Sequence, residues 1–147
     1  MAGDPLDPHI AAERLNERAK GTNITARGTR FVEVSAERAV AELAFRPDLA
    51  QLTGLFHGGV ILSLADETAT ACSLATVMPD GEWDPAKFPL TIQLSANLIR
   101  NSNTGKLIAE AVPVHRGRTS MVMQTTVRDE QGRVMALITA TLLVLNR

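Results

Sequence analysis

The spacing of apolar positions changes several times along the chain, and each change marks an element. From Pro8 to Lys20, apolar Ile10, Ala11 and Leu15 stand among charges, which predicts a short amphipathic helix ended by Gly21. From Thr29 to Phe45 the period shortens to two. Phe31, Val32 and Val34, then Ala39, Ala41, Leu43 and Phe45, alternate with polar residues as a strand pair would, and Pro47 stops the second strand. Val60 to Val77 is apolar nearly all round, with small residues at Ser63, Ala65, Ala69, Ala71, Ser73 and Ala75. This predicts a buried helix that other elements approach closely. Pro79, Gly81, Pro85 and Pro89 make residues 78–89 a loop, long enough to serve as a lid or binding loop. Four alternating runs complete the chain: Leu90 to Arg100, Lys106 to His115, Thr119 to Arg128, and Arg133 to Leu145 after a turn at Gly132. With no βαβ rhythm and no repeat, the order predicts an α+β architecture. One helix covers only one sheet face, so the other face and the edges call for a second copy of the chain.

Composition narrows the class. At 147 residues the chain is expected to form one domain, with its core over about residues 29–145 and a helical N-terminal extension over residues 1–28. It is 45% hydrophobic and 21% charged, as a globular protein would be. Its 15 basic and 16 acidic residues nearly cancel, which leaves no footprint for nucleic acid and no polybasic membrane signal. Aromatic residues, at 3%, are too few for a base-stacking platform. The start, Met-Ala-Gly-Asp-Pro, is polar, and no uninterrupted apolar run reaches the ~20 residues of a membrane span, so a cytoplasmic location is expected. Cys72, the single cysteine, reads as a small buried hydrophobe. Trp83, the single tryptophan, reads as a surface side chain resting on the core.

The chemistry concentrates in Gln51-Leu-Thr-Gly-Leu-Phe-His57-Gly58-Gly59 and the helix after it. A loop turns at two glycines into an apolar helix that carries one carboxylate, Asp66. The free N–H groups of a helix start can hold developing negative charge. A carboxylate in an apolar helix is costly to bury without a partner. The pair suggests a pocket that polarises a carbonyl beside a base. Glu67, one position round, reads as a surface residue. His57 either contacts the reacting group or only caps the helix. His9, His57 and His115 lie on different elements without metal-ligand spacing, so no metal is expected. No GxSxG elbow, Walker loop or GxGxxG is present.

His57-Gly58-Gly59, Asp66 nine positions after the histidine, the strand from Leu90 and Thr91, and His115-Arg116-Gly117-Arg118-Thr119 together resemble the hotdog-fold acyl-CoA thioesterases. The similarity is to their phenylacetic-acid-pathway and hydroxybenzoyl-CoA thioesterase type. It spans about residues 29–145. The resemblance implies a long central helix wrapped by an antiparallel sheet of about six strands. It also implies a homodimer or homotetramer with active sites between subunits. Asp66 then corresponds to the catalytic carboxylate, Gly58 to the oxyanion donor, Gln51 to a polar residue six before the histidine, and Thr91 to a residue that places the water. One subunit would supply His57 and Gly58, and its partner Asp66 and Thr91. Arg116, Gly117 and Arg118, with Arg100 and Asn101, correspond to contacts of the CoA nucleotide. CoA arrives as part of the substrate and no cofactor is implied. A base route on water and an anhydride route through Asp66 both fit. Two other activities fit the same fold, a non-catalytic acyl-CoA-binding module and an enoyl-CoA hydratase.

Overall fold

The computed structural model of the protein describes residues 3–145, so the first two residues of the polar start and residues 146–147 lie outside it. Helix α1 spans Pro8–Ala19. Its start is fixed twice, by Pro8 and by Asp7, whose carboxylate accepts the N–H groups of His9 and Ile10. A five-residue helix α2, Asn23–Arg27, follows and closes at Gly28, where φ is +93°. The sequence reading leaves α2 out, because five residues are too few to show a helical period.

Strands β1 (Arg30–Val34) and β2 (Ala39–Ala44) form the expected hairpin. The core helix α3 runs Gly58–Val77, two residues earlier than its apolar pattern begins. The last four strands are β3 (Leu90–Leu98), β4 (Lys106–Arg116), β5 (Ser120–Arg128) and β6 (Val134–Leu143). All six join one antiparallel sheet in the order β1-β2-β4-β5-β6-β3.

Helix α3 lies on one face of this sheet, chiefly against β4, with β2 and β5 to either side. The small residues predicted to permit close approach do so: Ala65, Ala69, Ala71 and Ser73 are buried, as are Ala109 and Ala111 on β4. Between them Ile61, Leu64, Leu107, Met121, Met123 and Ile138 fill the interlayer space. Each such fully buried side chain contributes roughly 1.5–3 kcal/mol by leaving water. The helix is not buried all round, however. Leu62, Ser63, Asp66 and Thr70 form a half-buried stripe along it.

The two sheet edges differ. On β1, the Asn16 side chain exchanges two hydrogen bonds with the Phe31 backbone, both 2.9 Å, and His9 contacts Val32 O at 3.1 Å. Helix α1 therefore covers that edge. On the opposite edge β3 has no neighbour, and Ile92 and Leu98 are 61% and 51% exposed.

Candidate active site

The site begins where Phe56 hands the chain to α3. Phe56 is fully buried and meets Phe45 edge-to-face at 5.0 Å. Its backbone is clamped by the 101–102 segment: Phe56 N–H donates to Ser102 O at 3.0 Å, and Asn101 Nδ2 donates to Phe56 O at 2.7 Å. His57 is then the N-cap of α3, and Gly59 N–H donates to its Nδ1 at 2.9 Å. That bond consumes the lone pair of Nδ1 and leaves Nε2 as the ring's donor. Glycine at 59 leaves room for the ring in this position, because a Cβ there would stand 2.9–3.0 Å from it. Val60 and Ile61 N–H both return to His57 O. Among the described residues, the Gly58 N–H has no acceptor. It is an oriented donor at the positive end of a 20-residue helix. A Cβ on Gly58 would stand 2.9 Å from Leu98 Cδ1, so this donor lies against the C-terminal end of β3.

Asp66 lies on the half-buried stripe, where Thr91 Oγ1 donates to its Oδ1 at 2.6 Å. Thr91 pairs with fully buried Leu142, which turns its side chain toward α3. A register shift between Thr91 and Gln93 follows at once. One carboxylate oxygen is thereby held and the other left for a ligand or water. The structure thus brings Asp66 and Thr91 together.

It does not bring Gly58 and Asp66 together within one chain. Eight residues of helix separate them, about 12 Å of rise, too far to act on one carbonyl. Gln51 turns inward on its own loop. Its N–H donates to Leu55 O and its Oε1 accepts from Thr53 N–H, which leaves the Nε2 amide as its free donor.

One expectation needs correction. Glu67 is not a surface residue. It forms an ion pair with Arg27 of α2, and the two side chains are only 11% and 16% exposed. Burial lowers the pKa of the Arg27 guanidinium. Neither α2 nor its arginine had a sequence signal. Within one chain, Arg100 and Asn101 lie apart from Arg116, Gly117 and Arg118. Arg100 bonds Met135 and Val134 at the start of β6, whereas Gly117 bonds Ser120, which pairs with Leu143 at the end of β6. The length of that strand, roughly 30 Å, lies between the groups. The Asn101 side chain is also committed, to Phe56 O and to Ser102 N–H.

At the β4–β5 turn, Arg116 donates to Ala36 O at 3.2 Å and to Glu37 at 2.9 Å, so it ties this turn to the β1–β2 turn. Arg118 is exposed and makes no ion pair among the described residues. Among the same residues, no group of three His, Cys, Asp or Glu side chains could hold a metal ion.

Comparison with known proteins agrees with this geometry. The profile of the Thioesterase superfamily matches residues 53–136, which includes His57, Gly58, Asp66 and Thr91. A Deinococcus radiodurans protein provisionally named an esterase is 30% identical over 142 residues, 94% of this chain and 86% of that one. The 1,4-dihydroxy-2-naphthoyl-CoA hydrolase of Listeria monocytogenes is 25% identical over 117 residues, 80% of this chain and 90% of that one. The crystal structure of thioesterase HI1161 from Haemophilus influenzae superposes with a TM-score of 0.80 at 25% identity, covering 92% and 90% of the two chains. The chain belongs to the Thioesterase superfamily and has the hotdog fold. Membership places its chemistry among thioester hydrolyses.

Proposed function

We propose that the protein hydrolyses an acyl-CoA thioester to a carboxylic acid and free CoA, in active sites shared by two copies of the chain. The observation that carries the reading is the division of the machinery. A free N–H at Gly58 lies beside Leu98, and a held carboxylate at Asp66 bonds Thr91, at the two ends of β3. A second copy paired antiparallel along β3, about a two-fold axis near Ser95, would set Leu98 of one copy beside Thr91 of the other. The same rotation would carry the Arg100 end of one sheet to the Arg118 end of its neighbour. The bare apolar edge of β3 supports such a pairing.

In the completed site the Gly58 N–H donates to the developing oxyanion, and one such donor is worth about 3–4 kcal/mol. Asp66 takes a proton from water while Thr91 fixes the orientation of its carboxylate. His57 Nε2 and Gln51 Nε2 offer further donors. The thiolate leaves as CoA, whose phosphates suit the free guanidinium of Arg118. CoA enters as part of the substrate. The CoA substrate of the Listeria monocytogenes relative supports the same class of thioester here. The finer likeness, to the phenylacetic-acid-pathway and hydroxybenzoyl-CoA type, rests on the spacing of His57 and Asp66.

Two defective variants test both halves of the proposal. Asp66→Asn and Gly58→Val should each lose thiol release from a panel of acyl-CoAs by about 10²-fold or more. Mixed and allowed to exchange subunits, they should recover activity, because the heterodimer contains one undamaged site. A mixture as inactive as its parents would show that each chain carries its own site. Full turnover by Asp66→Asn alone would reject the catalytic assignment.

A further inference from the structure

A cavity of about 940 Å³ opens between α1, the C-terminal end of α3 and the 78–84 loop. None of Gln51, His57, Gly58, Asp66 or Thr91 lines it. Ala75, which does, lies nine residues beyond Asp66, half a turn round the helix axis. The cavity therefore lies toward the C-terminal end of α3, beyond the turn that carries Asp66. Its volume matches small-molecule sites, which run to about 300–1,000 Å³.

The walls are apolar: Leu6, Leu15, Leu74, Met78 and Trp83. The N-terminal segment is pinned over it by Leu6 N–H, which donates to Pro79 O at 3.0 Å. Arg14 and Arg18 stand one helical turn apart on the rim. Arg18 lies over the Trp83 ring at 4.2 Å, and neither arginine has a carboxylate partner among the described residues. Of the two acids on the same rim, Glu17 pairs with Lys20 at 2.8 Å, and Glu13 is unpaired. Arg116 also borders the cavity, but Glu37 and Ala36 O hold its guanidinium. Two guanidinium groups without a carboxylate partner among the described residues thus share the rim with one unpaired carboxylate, above an apolar floor.

From this combination we infer that the cavity is a second ligand site, one that takes a carboxylate with an apolar body. The tail lies along Leu15, Leu74 and Met78, and the carboxylate meets the Arg14 and Arg18 guanidinium forks, a pairing that favours two parallel hydrogen bonds. The site does not depend on the proposed hydrolysis, because it uses none of the same groups.

Trp83 is the only tryptophan and lines the cavity, so its fluorescence reports on occupancy directly. Titration of the full chain with decanoate, below the concentration at which decanoate self-associates, should give a saturable change in Trp83 emission. Decanol, with the same tail and no charge, should bind at least tenfold more weakly. Arg14→Gln and Arg18→Gln are changes of exposed side chains on α1, and the doubly changed protein should lose about tenfold or more of the decanoate affinity while keeping its response to decanol. Absence of a saturable change with decanoate would overturn the assignment. So would equal affinity for decanol, or decanoate binding that ignores loss of both arginines.

Discussion

At the scale of single residues, Asp66 depends on Thr91. A hydroxyl that donates at 2.6 Å to one carboxylate oxygen fixes which lone pair faces the substrate. Thr91→Val keeps the shape and removes the donor. A bond of this type to a charged group is worth about 1.5–3 kcal/mol, so kcat should fall about tenfold or more with KM little changed. A large rise in KM at constant kcat would instead make Thr91 a binding residue. Cys72 illustrates the opposite case, a reactive group made inert. It is fully buried, and burial pushes its thiol up to about 12. Its thiol donates only weakly, to Ala36 O at 3.6 Å. A thiol-reactive dye at pH 8 should leave the folded protein unlabelled and titrate one thiol after unfolding. Rapid labelling of the folded chain would contradict that burial. Both the bland reading of Cys72 and the placing of Asp66 on α3 were legible, because each rests on neighbours within a helical turn. Glu67 was not. Its partner Arg27 lies 40 positions earlier, on an element too short to show a period, and nothing local to Glu67 announces the pair.

Among elements, the β5–β6 turn shows how one carboxylate holds a hairpin. Asp129 is buried and accepts the N–H groups of Gln131 and Arg133 as well as Arg133 Nε at 2.7 Å. Burial alone would raise its pKa, but the bonds from Arg133 and Gln131 prevail and hold it below the ordinary carboxylate value. A depressed pKa contributes stability above the unfolded value, about 3.9, and loses it as the pH falls through the folded one. The denaturation midpoint of Asp129→Asn should therefore lie below that of the parent at pH 7, and the gap should close as the pH drops below about 4. A gap that persists at pH 2.5 would remove the charge from the explanation. Here the sequence was informative: Asp129 and Gly132 mark the turn, and the alternation on either side marks both strands. Strand ends were less legible. The pattern carried β3 to Arg100, whereas pairing stops at Leu98, because the chain then leaves the sheet so that Asn101 and Ser102 can clamp Phe56. That exit is a tertiary demand with no signature in the local pattern.

For the whole molecule, the unequal edges matter most. Covering β1 with α1 and leaving β3 bare makes one side of the sheet alone available for pairing with a further strand. A charge placed on the bare edge, Ile92→Lys, should yield a folded monomer by light scattering that has lost hydrolysis, since Ile92 is 61% exposed within one chain. A dimer of undiminished activity would move the interface elsewhere. The expectation of a second copy came from the count of one helix against six strands. Which edge would stay open was not, because strand order is decided by which face α3 covers and by where α1 returns. With active sites shared as proposed, catalysis would acquire a dependence that no isolated chain could have. As the protein is diluted toward the dissociation constant of that pairing, turnover per chain would decline, and the abundance of the protein in its surroundings would become a throttle on the reaction.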